Sequence, residues 1–116
     1  MKTEKLTVRP ATEKEMNIPS SLVGFLITTF QFLIDAFGDS NGGDDDKTDA
    51  EWNLKFSDGS YITIYNYKDG KSYKGEDGMD VEDITEWHIG SDKDVSPDVV
   101  KTLEKATKGK YSIYRL

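Results

Sequence analysis

Glu86 and His88 stand two residues apart and are the nearest thing in this 116-residue chain to an acid–base couple. On an extended strand, residues at that spacing share a face, close enough to exchange a proton. Such chemistry also needs a nucleophile or a metal. The chain has no cysteine and His88 is its one histidine. A zinc site would therefore have to draw every other ligand from carboxylates, an uncommon donor set. The expectation is a structural or surface histidine, with a small metal-dependent enzyme using Glu86 and His88 as an alternative reading.

Carboxylates are the more abundant chemistry. An EF-hand loop wants oxygen ligands at positions 1, 3 and 5, glycine at 6 and glutamate at 12. Counted from Asp39, Asp44 stands where glycine belongs and Ala50 where glutamate does; counted from Asp44, the last position is Lys55. The template fails in both registers, which leaves weak divalent-ion binding by Asp44, Asp45 and Asp46 as the remaining metal chemistry. No cofactor motif is present.

The charge is unevenly placed. Residues 35–94 hold 17 acidic and 6 basic side chains, a net of −11, whereas residues 1–34 net +1 and residues 95–116 net +3. Asp44, Asp45, Asp46, Asp49, Glu76, Asp77, Asp80, Glu82 and Asp83 fall in two segments that flank a hydrophobic stretch. Brought to one side of a fold, they would imitate a phosphate backbone and steer a basic partner. Scattered, they would only keep the chain soluble. An acidic chain repels phosphate, so direct nucleic-acid or anionic-membrane binding is not expected.

Aromatic residues supply the third candidate. Tyr61, Tyr65 and Tyr67, with Tyr73 beyond them, form a stripe that suits base stacking or a protein hot spot. Stacking platforms for nucleic acid sit in basic grooves. The flanks here are acidic, so a protein-binding face or plain cross-strand packing is the better reading.

These residues need elements to hold them. The length allows one domain with a modest core, and the absence of cysteine rules out a disulfide framework. Met1–Pro10 lacks the apolar run of a signal peptide. Leu22–Phe37, the longest apolar run, contains Gln31 and Asp35 and is too short for a membrane span.

Lys5–Arg9 alternates and stops at Pro10, as a short edge strand does. Ser20 or Ser21 reads as the cap of a long helix that ends at Gly38. Its small or polar positions, Gly24, Thr28, Gln31 and Asp35, form one narrow stripe. That implies burial on most sides, or a homodimer through Phe25 and Phe32. An acidic, glycine-rich loop follows over residues 39–50.

Trp52, Leu54 and Phe56, then Ile62 and Ile64, alternate around Asp58-Gly59 and predict a hairpin. A three-residue loop with Gly59 in a left-handed bulge pairs Leu54 with Ile62 and Trp52 with Ile64, which puts the apolar side chains on one face. Residues 68–83 read as a long loop, Thr85–Ile89 as a strand, Ser96-Pro97-Asp98 as a helix opening, and Tyr111–Leu116 as a last strand. The fold expected is α+β: a mainly antiparallel sheet of four to five strands, with a long hydrophobic helix packed on it and a shorter C-terminal helix, in a single domain over residues 1–116.

Glu51-Trp52, Phe56-Ser57-Asp58-Gly59, Thr63-Ile64-Tyr65-Asn66-Tyr67-Lys68 and Ile84-Thr85-Glu86-Trp87-His88-Ile89-Gly90 recur in this order after Phe37-Gly38. In that pattern the chain resembles a group of small viral proteins, mainly from bacteriophages, with the signature E-W…F-x-D-G…T-I-Y-x-[YW]-K…T-E-W-H-I-G. The resemblance spans residues 30–100 and transfers no catalytic residue. It implies a phage setting in the host cytoplasm, where small acidic proteins inhibit host defence or nucleic-acid-handling enzymes. The functional expectation is a non-catalytic acidic inhibitor that binds a basic host or defence protein through its carboxylates, with Tyr61, Tyr65 and Tyr67 adding specificity. The alternatives are the small enzyme above and a homo-oligomeric module using the apolar helix 22–37.

Overall fold

The strongest alternation in the chain forms the pairing it predicts. In the computed structural model, which describes residues 6–41, 49–67 and 70–114, β3 (Glu51–Phe56) and β4 (Tyr61–Tyr65) pair with Trp52 opposite Ile64 and Leu54 opposite Ile62. The loop is closed by the Gly59 amide donating to the Phe56 carbonyl at 2.9 Å, with Gly59 at φ 94°. The Ser60 amide donates to the Asp58 carboxylate at 2.9 Å and holds that carboxyl below its ordinary range.

β5 (Glu86–Ser91) continues the ladder beyond β4, and β1 (Val8–Pro10) forms the outer edge beside β3. The apolar run at 22–37 is where sequence and structure part. Residues Ser21–Ile27 are a strand, β2, and only Phe30–Phe37 are helical, as α1. Val23 and Ile27 are β-branched and Phe25 is aromatic, types that favour a strand. β2 lies between β5 and the C-terminal strand β6 (Lys110–Ile113). Such an inner strand can be apolar on both faces, which is why a helical stripe could be read into it.

Thr29, rather than Ser20 or Ser21, caps the helix, its hydroxyl accepting from the Phe32 amide at 3.1 Å. The stop at Gly38 is as expected: φ is 81° and its amide donates to the Ile34 carbonyl at 2.8 Å. Among the described residues the sheet is therefore antiparallel with six strands in the order β1-β3-β4-β5-β2-β6, not four or five. A continuous helical face over 22–37, on which the expected dimer contact through Phe25 and Phe32 was placed, does not exist.

Residues 70–83 are also more ordered in kind than a loop. They hold one helical turn, α2 (Lys71–Lys74), and two 3-10 turns, Gly75–Asp77 and Val81–Asp83. The last helix, α3 (Pro97–Thr107), opens as expected, with Ser96 capping the Val99 amide and Pro97 in the first turn.

One sheet face packs Leu26, Trp52, Leu54, Ile62, Ile64, Trp87 and Ile89 against Leu33 of α1 and Val99 and Leu103 of α3. Leu22, Phe30, Phe37 and Val100 are only partly buried. The two indoles bracket α1: Trp87 Nε1 donates to the Thr28 carbonyl before it at 3.2 Å, and Trp52 Nε1 to the Gly38 carbonyl after it at 2.9 Å. Both buried donors are thus satisfied, and the helix is tied to the sheet at each end. Among the described residues no helix is long and apolar enough to cross a membrane.

Candidate functional site

Strand pairing puts Glu51, Tyr65, His88, Phe25 and Ser112 in one row across β3, β4, β5, β2 and β6. The neighbouring row, Trp52, Ile64 and Ile89, faces the helices, so the first row lies on the opposite face. His88 is its centre. The Phe25, Tyr65 and Tyr67 rings lie 5.2, 5.4 and 5.8 Å from the imidazole, tilted by 54°, 39° and 74°. Tyr114 extends the group edge-on to Phe25 at 6.0 Å. These are the offset and edge contacts that aromatic quadrupoles prefer.

The group remains open to solvent. Tyr67 is 42% and Tyr114 39% exposed. A recess of about 330 Å³ opens between Leu22, Tyr65, Tyr67 and His88. Burial, then the charge of Glu51, raises the Tyr65 hydroxyl above its ordinary pKa, so this phenol stays neutral at any physiological pH.

Tyr61 does not belong to the open patch. It is 1% exposed, and its hydroxyl donates to Asn53 Oδ1 at 2.9 Å. Burial is the main cause of its raised pKa, with Glu51, Glu15 and Asp92 adding to it. Alternation put Tyr61 on the correct face, but Asn53 and Thr63 beside it are buried too, so that end of the face is covered. Tyr61 is a structural residue, contrary to its expected role in partner contact. Tyr73 lies off the sheet, in α2.

The carboxylates follow from topology. The start of β3, the end of β4 and the start of β5 meet at one end of the sheet, because the three strands are antiparallel neighbours. Asp49 leads into β3, and residues 70–85 connect β4 to β5. Both acidic segments therefore join the sheet at the same end. Buried Asn66 fixes the first: its Oδ1 accepts from the Asp49 and Ala50 amides at 2.8 and 3.1 Å, and its Nδ2 donates to Asp49 Oδ2 at 3.1 Å.

Asp49 then shares a depression of about 300 Å³ with Met79, Asp80, Val81 and Glu82. Glu76, Asp77 and Asp83 are exposed on the adjoining 3-10 turns. Asp44, Asp45 and Asp46 lie outside the described residues. The structure thus brings Asp49, Asp80 and Glu82 together and places Glu51 beside Tyr65, where the acidic end meets the aromatic row.

Glu86 and His88 share a face as their spacing requires, and Glu86 is exposed. Among the described residues no group of three histidine or carboxylate side chains is arranged to hold a metal ion. What His88 meets on Phe25, Tyr65 and Tyr67 is tilted and edge-on ring contact. A larger groove, about 790 Å³, runs between α3 and the β2–β6 edge and is lined by Val23, Val95, Val100, Tyr111 and Ile113. Its charged rim is mixed, Asp94 and Glu104 with Lys101, so no sign of charge selects an occupant there.

Phe25, expected only as a contact of a helical dimer, Leu22 and Tyr114 join the site from outside the expected aromatic stripe. The first two became visible only when 21–27 proved to be a strand, and the alternation of Leu22, Phe25 and Ile27 about a bulge at Val23 is irregular enough to hide it. Comparison of the sequence with protein-family models and with curated proteins returns no match.

Proposed function

We propose that this chain is a non-catalytic binding module that docks a basic protein surface against its open sheet face. The observation that carries the reading is topological: the Phe25–His88–Tyr65–Tyr67 ring group shares its row with Glu51, and the Asp49, Asp80, Glu82 depression adjoins the same end of the sheet. Protein interfaces have this anatomy, with an aromatic centre that excludes water and a polar rim that sets orientation. Glu51, Asp49, Asp80 and Glu82 make this end of the sheet acidic, with Arg9, Lys55 and Lys110 elsewhere on the same face, and the whole chain carries −7. Long-range attraction would therefore speed encounter with a positively charged partner and disfavour acidic competitors.

Nucleic-acid-handling proteins present such surfaces, since they are built to hold phosphate. An acidic module seated there would compete with nucleic acid. Together with the phage resemblance, this supports an inhibitor of a host defence or nucleic-acid-handling protein, acting in the host cytoplasm. Direct nucleic-acid and membrane contacts form no part of the reading, because the acidic end would repel both.

Affinity capture from a bacterial lysate tests it. The wild-type chain, Tyr67→Ala and the double variant Asp80→Asn/Glu82→Gln are compared at low and high salt. Tyr67→Ala should weaken capture by about 1–2 kcal/mol, the ordinary loss at an exposed aromatic hot spot. The double variant should slow association and flatten the salt dependence. Equal capture by all three proteins, unmoved by salt, contradicts the proposal.

A further inference from the structure

The binding face contains a concavity as well as a patch, and its chemistry is more specific than "basic". Tyr65, Tyr67 and His88 form three walls of the recess, with Leu22 as the fourth. Tyr67 stands nearly perpendicular to the imidazole, at 74°, while Tyr65 is inclined to it by 39°. One ring thus stands as a side wall against the others. At about 330 Å³ the space is at the small end for ligand pockets, suited to a single long side chain. Glu51 is directly across the strand pair from Tyr65, and Glu86 precedes His88 by two on the same face.

Aromatic walls attract a cation through the ring quadrupole, and Glu51 and Glu86 on the same sheet face add negative potential. Between the two protein cations, a guanidinium fits better. It is planar, stacks on a ring face, sheds water more readily than ammonium, and keeps in-plane N–H groups free for a carboxylate while stacked. We infer that the Leu22–Tyr65–Tyr67–His88 recess is a subsite for one arginine side chain of the partner protein. The inference rests on the binding reading above and names the partner's anchoring residue.

His88 is the single histidine of the chain, so its imidazole proton resonances report on the recess alone. The probe is N-acetyl-arginine amide, titrated into the full chain at constant ionic strength and followed by proton NMR. The isosteric citrulline derivative and N-acetyl-lysine amide serve as comparisons. Saturable movement of the His88 resonances with the arginine probe is expected, weaker with lysine and absent with uncharged citrulline. Tyr67→Ala should weaken the arginine response roughly tenfold, and Tyr67→Phe, which keeps the ring, should preserve it. Tyr67 is exposed enough for both variants to fold.

An unmoved His88, an equal response to citrulline, or a loss in Tyr67→Phe as large as in Tyr67→Ala overturns the subsite. The wider reading is separated by a second titration with an oligo-arginine peptide. If that peptide still shifts the Asp49, Asp80 and Glu82 amides in a salt-dependent way, the binding face stands and only the subsite fails. If neither probe acts, both fail.

Discussion

Replacing Asn66 by alanine tests how the acidic end is held to the aromatic row. Asn66 is fully buried and makes three hydrogen bonds to the chain entering β3: two accepted from the Asp49 and Ala50 amides at 2.8 and 3.1 Å, and one donated to the Asp49 carboxylate at 3.1 Å. Alanine removes all three and leaves two amides without their acceptor. A net contribution of about 1 kcal/mol per bond, with a further penalty for a stranded buried donor, gives a loss of about 3–4 kcal/mol. A domain of this size holds roughly 6–17 kcal/mol in total, so the variant should still fold. Its melting temperature should fall by roughly 10–20 °C.

Urea unfolding gives the free energy, and the oligo-arginine titration gives the binding consequence. Asp49 should lose its place beside Asp80 and Glu82, so binding should weaken even well below the new melting point. A stability loss under about 1 kcal/mol would mean the two amides find other acceptors. A full loss with unchanged binding would mean that Asp49 is no part of the surface. Either result refutes the reasoning.

Three further perturbations probe the frame. The Arg9 guanidinium, bonded to both Glu15 oxygens at 2.8 Å, is the main reason that the Glu15 pKa falls from 4.5 to about 2, with the Thr12 amide next. A depressed carboxyl stabilises the fold above its unfolded value and loses that contribution as pH falls through the folded one. Glu15→Gln should therefore flatten the stability profile between about 4.5 and about 2, and an NMR titration midpoint for Glu15 near 4.5 would contradict the pairing. The Thr63 hydroxyl is buried with no hydrogen-bond partner among the described residues, so Thr63→Val should raise stability by about 1 kcal/mol in urea unfolding, and a loss would show the hydroxyl to be paired. A Cβ at Gly24 would stand 2.5 Å from Tyr111 Oη and 2.6 Å from the Ser112 carbonyl; the side chain can swing away but the backbone cannot, so Gly24→Ala should expose the β6 amides to hydrogen exchange while β3, β4 and β5 stay protected.

The parts of the fold written in local signals were legible. The β3–β4 register followed from alternation plus Asp58-Gly59, because only one slip buries Leu54 with Ile62. α3 followed from Ser96-Pro97-Asp98, whose cap and proline act within one turn. β2 was not legible. An inner strand apolar on both faces loses the period that separates strand from helix, and the break at Thr28-Thr29 carries only a cap residue as its mark. Tyr65 and Tyr67 could be placed by counting along one strand. Their meeting with Phe25, His88 and Tyr114 could not, since β2 joins β5 across some sixty residues of sequence. The same limit misplaced Tyr61, whose cover comes from elsewhere in the chain.

The central claim is that the ring group and the carboxylates form one surface for a positively charged protein. Amide chemical-shift mapping with an oligo-arginine peptide, at about 50 and about 300 mM salt to change the screening length, examines it most directly. The account predicts shifts concentrated at Asp49, Glu51, Tyr65, Tyr67, Asp80, Glu82 and His88, shrinking markedly at the higher salt. Shifts spread over all faces, or centred on the α3–β6 groove, would contradict it.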